Sequence, residues 1–507
     1  MRDFSSRLCP YYSRVFILLL LFGVMALLLL LVSIYCFPYS SSRLRPVDDI
    51  SFRLPYSQGF VVEVNLTEKE KNDFSIFDAL NDTTTRTRSN ISRTNTSETG
   101  GASNSKKVEV VPLLSNVGIP KSIMKLEAGL SKARAAIREA TLSHRNRTPI
   151  EDPDDYAPKG GIYRNSYAFH RSYLEMEKRF KIFVYEEGEP PLVHNGPCKS
   201  IYSSEGIFIH EMVLGNRFRT RSQERAHVHF LPFSVVAMIQ FVYTPSSFDL
   251  YPVKNLVADY IDVISKKYHY WNQSLGADHF MLSCHDWGPH TSAANPLLNK
   301  NSIRVLCNAN SSEDFYPQRD VPLPEINIPS GSIEGMLGGL RPSARTILAF
   351  FAGGVHGWIR SILLQHWKNK DPDIQAFEYL PHDLSYWDML RKSKFCLCPS
   401  GYEVASPRLV EAIYAECVPV IISDHYVLPF SDVLNWASFS VEVKVGEIER
   451  LKEILEGISM EKYVRMQRRV KQVQRHFVVN EPPKRYDVFH MVIHSVWLRR
   501  LNLKLHL

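Results

Sequence analysis

The sequence lacks any run of Lys or Arg. Its formal net charge of +7 is spread along 507 residues, which argues against a dedicated nucleic-acid arm and leaves an anionic substrate or nucleotide open. It lacks an internal repeat of solenoid period, and Ser400 lacks the G-x-S-x-G frame of a hydrolase nucleophile. Its D-x-D triplets are the two "DPD" segments at 152–154 and 371–373; neither follows a predicted strand, and both read as Pro turns rather than metal ligands. Apolar residues are not lacking. At 45% hydrophobic and 22% charged, the composition is that of a globular chain, too long for one core.

Val15 to Phe37, "VFILLLLFGVMALLLLLVSIYCF", holds 23 residues without a charge, enough to cross a hydrocarbon layer of ~30 Å at ~1.5 Å per residue. No small-residue cleavage site follows, so an uncleaved anchor is expected. Arg2, Arg7 and Arg14 on one side balance Arg43, Arg45 and Arg53 on the other, so charge alone does not orient it. The N-x-[ST] sequons at Asn65, Asn81, Asn90, Asn95, Asn146, Asn272 and Asn310 all follow the anchor and favour a lumenal C-terminal part, although the Ser/Thr/Asn-rich composition inflates their number. In that compartment disulfides are allowed among Cys198, Cys284, Cys307, Cys396, Cys398 and Cys417; six cysteines permit 15 complete pairings and none is selected. Within "CLC", Cys396 and Cys398 read as a buried thiol or a disulfide partner before a metal site.

Residues 81–105 contain 16 Ser, Thr or Asn and no aromatic residue, the composition of a stem. Ile123, Leu126, Leu130, Ala133, Ile137 and Ala140 then recur at spacings of three and four, an amphipathic helix expected to pack on its own chain rather than on a partner. Globular sequence begins near Tyr173. "KIFVY", "AHVHFLPF", "ADHFMLSCH" and "SIRVLC" read as strands separated by helix-length segments; "RTILAFFAGG", "KFCLCPSG" and "VPVIIS" form a second set after a Gly/Ser/Pro-rich boundary at 327–344. Two α/β halves facing each other across a cleft are predicted.

The chemistry concentrates in "KFCLCPSGYEVASPRLVEAIYAECVPVII". Ser406 reads as an N-cap and Pro407 as the first helical residue; Arg408 in the first turn offers a guanidinium fork to an anion, and Glu411 lies one turn on, placed for sugar hydroxyls. Glu403 sits in the preceding loop. An ordinary surface ion pair would show the same Arg/Glu spacing. "FFAGGVHGWIR" repeats the theme with Gly353 and Gly354 after a strand and Arg360 early in a helix. In the first half, "HDWG" places His285 and Asp286 at the carboxyl end of a strand, where either serves as a base and Trp287 stacks on a sugar ring; a strand cap and a turn would look the same.

"GADHFMLSCHDWGP", "SIRVLCN", "FFAGGVHG", the segment from Lys394 to Ile422 and the closing "DVFHMVIHSVWLRRLN" resemble the exostosin-like glycosyltransferases, in particular the plant cell-wall branch, from about Phe180 to the C-terminus. The resemblance implies a GT-B-like α/β fold: a cytosolic tail (1–14), a signal anchor (15–37), a lumenal stem (38–165), a Rossmann-like acceptor domain (166–335) and a Rossmann-like nucleotide-sugar domain (336–507) whose last helix crosses back to the first. It implies a Golgi type II enzyme that inverts the anomeric centre while transferring a sugar, from a donor expected to be a UDP-sugar, to a hemicellulose, pectin or glycan acceptor. Arg408, Glu411, Glu403, Ser406, Gly353, Gly354 and Arg360 are expected on the donor side and His285 and Asp286 at the acceptor. No metal, no cofactor and no nucleic-acid partner are expected; association with itself or with other glycosyltransferases is. The alternative is a catalytically silent Golgi subunit that anchors an active partner.

Overall fold

The computed structural model describes residues 121–142 and 156–503. The anchor at 15–37, the Ser/Thr/Asn-rich stem, the "DPD" at 152–154 and the sequons at Asn65, Asn81, Asn90, Asn95 and Asn146 lie outside them. Among the described residues no helix is long and apolar enough to cross a membrane.

Two wholly parallel sheets organise the chain. The first has six strands, β1 (Ile182–Val184), β2 (Arg219–Thr220), β3 (Val228–Phe230), β4 (His279–Ser283), β5 (Ile303–Leu306) and β6 (Val321–Pro322), in the order β2-β1-β3-β4-β5-β6. The second has five, β7 (Ile347–Ala352), β8 (Ile374–Phe377), β9 (Ser393–Pro399), β10 (Val418–Ile422) and β11 (Val441–Glu442), in the order β11-β10-β9-β7-β8. Every residue of β3, β4, β5 and β10 is buried, as expected for strands covered on both faces; this is why they read in the sequence as predominantly apolar runs, with His229, His279, Ser283 and Arg304 as buried exceptions. The four edge strands β2, β6, β8 and β11 are at most four residues long and carry no such signal.

The amphipathic stretch forms helix α1 (Lys121–Leu142), whose Leu130 and Ala133 are fully buried and which packs on α2 (Ser166–Arg179). It docks on its own chain. Helices α3 (Trp358–Trp367), α4 (Tyr386–Lys392) and α5 (Arg408–Tyr414) flank the second sheet, and α6 (Val488–Asn502) runs back onto β5 and β6 of the first. Near its end, the Arg499 guanidinium donates to the Asp320 carbonyl (3.0 and 2.8 Å) and to Asp432 (2.7 Å). Arg500 donates to the His227 carbonyl (2.8 Å) and to Glu127 of α1 (2.6 Å).

Of the six cysteines, Cys284 bonds to Cys307 and Cys396 to Cys417, Cys198 is disulfide-bonded as well, and Cys398 is a buried thiol that desolvation pushes up to about 12. Both readings of "CLC" thus occur, one at each sulfur. Cys284 and Cys307 directly follow β4 and β5, so their bridge joins the loops that begin with His285 and Asn308. The "DPD" at 371–373 is a turn: Asp371 and Asp373 precede β8 and both bind the Lys452 ammonium at 2.8 Å.

Candidate active site

In parallel α/β sheets the carboxyl ends of the strands face the ligand crevice. Here the carboxyl ends of β4, β5 and β6 meet those of β7 and β9, and side chains bond directly between the halves.

On the second half, the turn after β7 and the loop after β9 bring two guanidiniums together. Arg408 donates through Nε and Nη2 to the Ala352 carbonyl (3.3 and 2.9 Å) and lies 5.2 Å over the Phe351 ring. Its guanidinium covers Gly353, where any Cβ would collide with it. Gly353 is a packing requirement of the arginine. Gly354 faces only His356. Arg360, on α3, is 7% exposed, and its Nε is a buried donor with no acceptor among the described residues. Burial and the neighbouring Arg408 charge lower its pKa to about 10. A buried cation without a hydrogen-bonding partner is costly, and the half-buried Arg408 charge beside Arg360 adds to that cost. The pair offers positive charge and donors to an anion.

Glu411 does not lie open to sugar hydroxyls. It is 5% exposed; Tyr386 Oη donates to Oε2 at 2.7 Å and Asn327 Nδ2 to Oε1 at 3.1 Å, so each oxygen holds one protein donor. The capping expectation for Ser406 also changes: α5 starts at Arg408 with Pro407 as its capping residue, and Ser406 Oγ is buried without a partner. The chain turns at Pro407 through backbone bonds alone, Leu409 N–H to the Ser406 carbonyl (3.2 Å) and Val410 N–H to that of Pro407 (3.0 Å).

Glu403 reaches the other half. Asn308 Nδ2, after β5, donates to Glu403 Oε2 at 2.7 Å and to the Asp286 carbonyl at 3.2 Å. Burial, then the Glu313 and Asp286 charges, raise the Glu403 carboxyl to about 7. His285 is stacked on Tyr202 (5.2 Å between centroids) and its Nδ1 accepts from Trp287 N–H at 3.1 Å; burial lowers it to about 4. It is a neutral, weakly basic imidazole. Burial also raises Asp286.

Motif reading missed Glu325, in "VPLPEINIP" after the two-residue β6. It is 6% exposed, and burial followed by the charges of Asp286 and Glu411 pushes it up to about 8, against the pull of Arg408 and Arg360. Asn308, Asn327, Tyr202 and Tyr386 were missed too. The usable signal was a carboxylate in a Pro-bounded turn at a strand's carboxyl end.

Other sites separate. Asn272 is exposed, as a glycan acceptor requires, whereas Asn310 is 8% exposed, bridges to Tyr426 between the halves and holds Ser312 through Oδ1. In the folded chain no glycan has room at Asn310. His229, Asp278 and His279 bring ligand-type atoms within 4.8 Å of one another, but the two imidazoles are stacked at 4.7 Å and 17°, so their in-plane lone pairs run side by side instead of converging on an ion.

Two guanidiniums of the second half thus face carboxylates across the crevice. Residues 176–458 match the family model described as the exostosin GT47 domain. A probable glycosyltransferase of Arabidopsis thaliana is 60% identical over 384 residues, covering 76% of this chain and 73% of that protein. More distant relatives are a probable beta-1,4-xylosyltransferase of the same plant, 28% identical over 341 residues (63% of this chain, 82% of that one), and a probable glucuronosyltransferase of Oryza sativa subsp. japonica, 27% identical over 339 residues (63% and 77%). This chain belongs to the exostosin GT47 family and is a glycosyltransferase.

Proposed function

We propose that the chain is a GT-B enzyme, with an acceptor domain at 166–335 and a donor domain at 336–507, that transfers a sugar from a UDP-sugar to a cell-wall polysaccharide with inversion. The anchor at 15–37 holds it in the Golgi membrane, catalytic part lumenal. The observation that carries this reading is the paired Arg360 and Arg408: one buried and one half-buried guanidinium with spare donors match a nucleotide diphosphate, and their charge offsets the one that develops on the leaving group. They do so without a metal. Glu411, held by Tyr386 and Asn327, lies one helical turn beyond Arg408 and places its buried negative charge beside the arginine pair. His285 and Asp286 line the acceptor side, with Trp287 as the sugar platform. The names of the distant relatives favour a pentose or uronic acid donor and a hemicellulose acceptor.

The test titrates the full-length protein in detergent with UDP-sugars, UDP-xylose and UDP-glucuronic acid among them, with chelator present, then repeats the titration on Arg360→Ala and Arg408→Ala. Saturable binding of one donor, weakened in both variants, is expected. No binding by the folded wild type would move the silent-subunit reading ahead.

A further inference from the structure

Four carboxylates reach this cleft, and hydrogen bonding together with burial sorts them. Glu411 holds a donor on each oxygen, and Glu403 accepts from Asn308. Asp286 follows β4 on the first half and is only half-buried. Glu325 is 6% exposed and accepts no hydrogen bond from any described residue. Glu205, also buried in the first half, shows what a structural carboxylate looks like here: it accepts from Ser234 Oγ, Val236 N–H and Cys284 N–H. By that standard Glu325 has no structural role, and a buried carboxyl without partners costs stability.

Its backbone is nevertheless fixed. The carbonyls on either side, Pro324 and Ile326, accept the hydroxyls of Ser204 (2.7 Å) and Ser203 (2.6 Å), and Ile326 also bridges to Tyr202. Two residues on, Asn327 reaches across to Glu411. A side chain with free lone pairs is therefore held on a rigid turn of the first half, within the field of Arg360 and Arg408 on the second. Asp286 and Glu411 add negative charge beside it, which favours its taking up a proton.

We propose, on the reading given above, that Glu325 is the general base of the transfer. The acceptor hydroxyl gives its proton to the Glu325 carboxylate as its oxygen forms the bond to the anomeric carbon. The bond from that carbon to the phosphate oxygen breaks, and its electron pair leaves with the nucleoside diphosphate onto Arg360 and Arg408. Proton, sugar and leaving group are then all accounted for. His285 and Asp286 become positioning residues for the acceptor. A carboxyl titrating near 8 also predicts that the rate climbs with pH toward that value.

The experiment uses full-length wild type, Glu325→Gln and Glu325→Asp, with the donor selected by the UDP-sugar panel and xylo-oligosaccharide and pectic acceptors. Donor affinity, kcat and the pH profile of kcat/KM are measured. Expected are donor affinity within about threefold of wild type in Glu325→Gln, a kcat loss of about 10²–10⁴, partial recovery in Glu325→Asp, and a rising limb near pH 8 in wild type that Glu325→Gln lacks. Turnover in Glu325→Gln within threefold of wild type overturns the proposal, and so does a wild-type profile flat between pH 6 and 9, which needs no variant to fold. Loss of donor binding in Glu325→Gln overturns it in favour of a donor contact. A wild type that binds no UDP-sugar overturns the parent reading, and the base assignment with it.

Discussion

Only one face of the cleft carries cations, and the two faces are assembled in opposite ways. The second half presents Arg360 and Arg408, each placed by one strand–turn–helix segment whose residues are neighbours in sequence. The first half presents His285 and Asp286 after β4, Asn308 after β5 and Glu325 after β6, one strand end at a time. On the reading proposed above, the arginine-bearing face, made from local motifs, takes the diphosphate. An acidic face made from three strand ends depends on sheet order, and its chemistry follows from which strands lie adjacent.

This contrast is broken most severely from the cationic side. Arg408→Ala removes a leaving-group contact and unpacks Gly353, so kcat/KM is expected to fall by about 10²–10³, with the donor KM rising; steady-state kinetics over both substrates decide. If instead kcat fell with donor affinity intact, the division of labour between the faces would be wrong. Asp286→Asn, on the acidic side, is expected to lower turnover by about tenfold to a hundredfold while calorimetric donor affinity stays unchanged.

Next in size is Cys284→Ser with Cys307→Ser. Their bridge spans 23 residues and joins the loops holding His285 and Asn308, so its loss is expected to cost about 2–4 kcal/mol, read by chemical denaturation, and to affect the acidic face before donor binding. Tyr386→Phe removes one donor from buried Glu411, for a loss of about 1 kcal/mol and a severalfold rise in donor KM.

A further effect concerns pH. Glu403 and Glu325 hold their protons in the folded state up to about 7 and about 8, whereas the unfolded chain releases them near 4.5. The folded state therefore binds more protons across that window, and these two groups lower stability as pH rises from 4.5 through 8. Melting curves between pH 5 and 9 should show that decline, and Glu325→Gln with Glu403→Gln should flatten it. A steeper decline in the double variant would contradict the assignment.

How much was legible follows the same division. The long apolar runs announced β1, β3, β4, β5, β7, β9 and β10, and the Arg408 and Arg360 segments stood out because each motif is contiguous. Glu325 did not, because a two-residue strand has no periodicity to mark its end. Ser406 matched the preferred cap chemistry, but the Pro407 turn left its hydroxyl unused. Asn310 fitted the sequon perfectly; only the fold shows it enclosed between the halves. The helix at 121–142 was legible as amphipathic, and its two fully buried residues, Leu130 and Ala133, are the pair at the middle of its stripe.

The return of α6 to the first sheet bears on how the chain is made. Domains emerging from a ribosome tend to complete themselves in order. Here the first sheet is covered by residues 488–502, which follow every strand of the second in sequence, and the Asp320 and His227 carbonyls wait for Arg499 and Arg500. The first half is therefore whole only after the second has been made, and truncation ahead of residue 488 would be expected to leave the acceptor side unfinished while every residue of both candidate faces is already present.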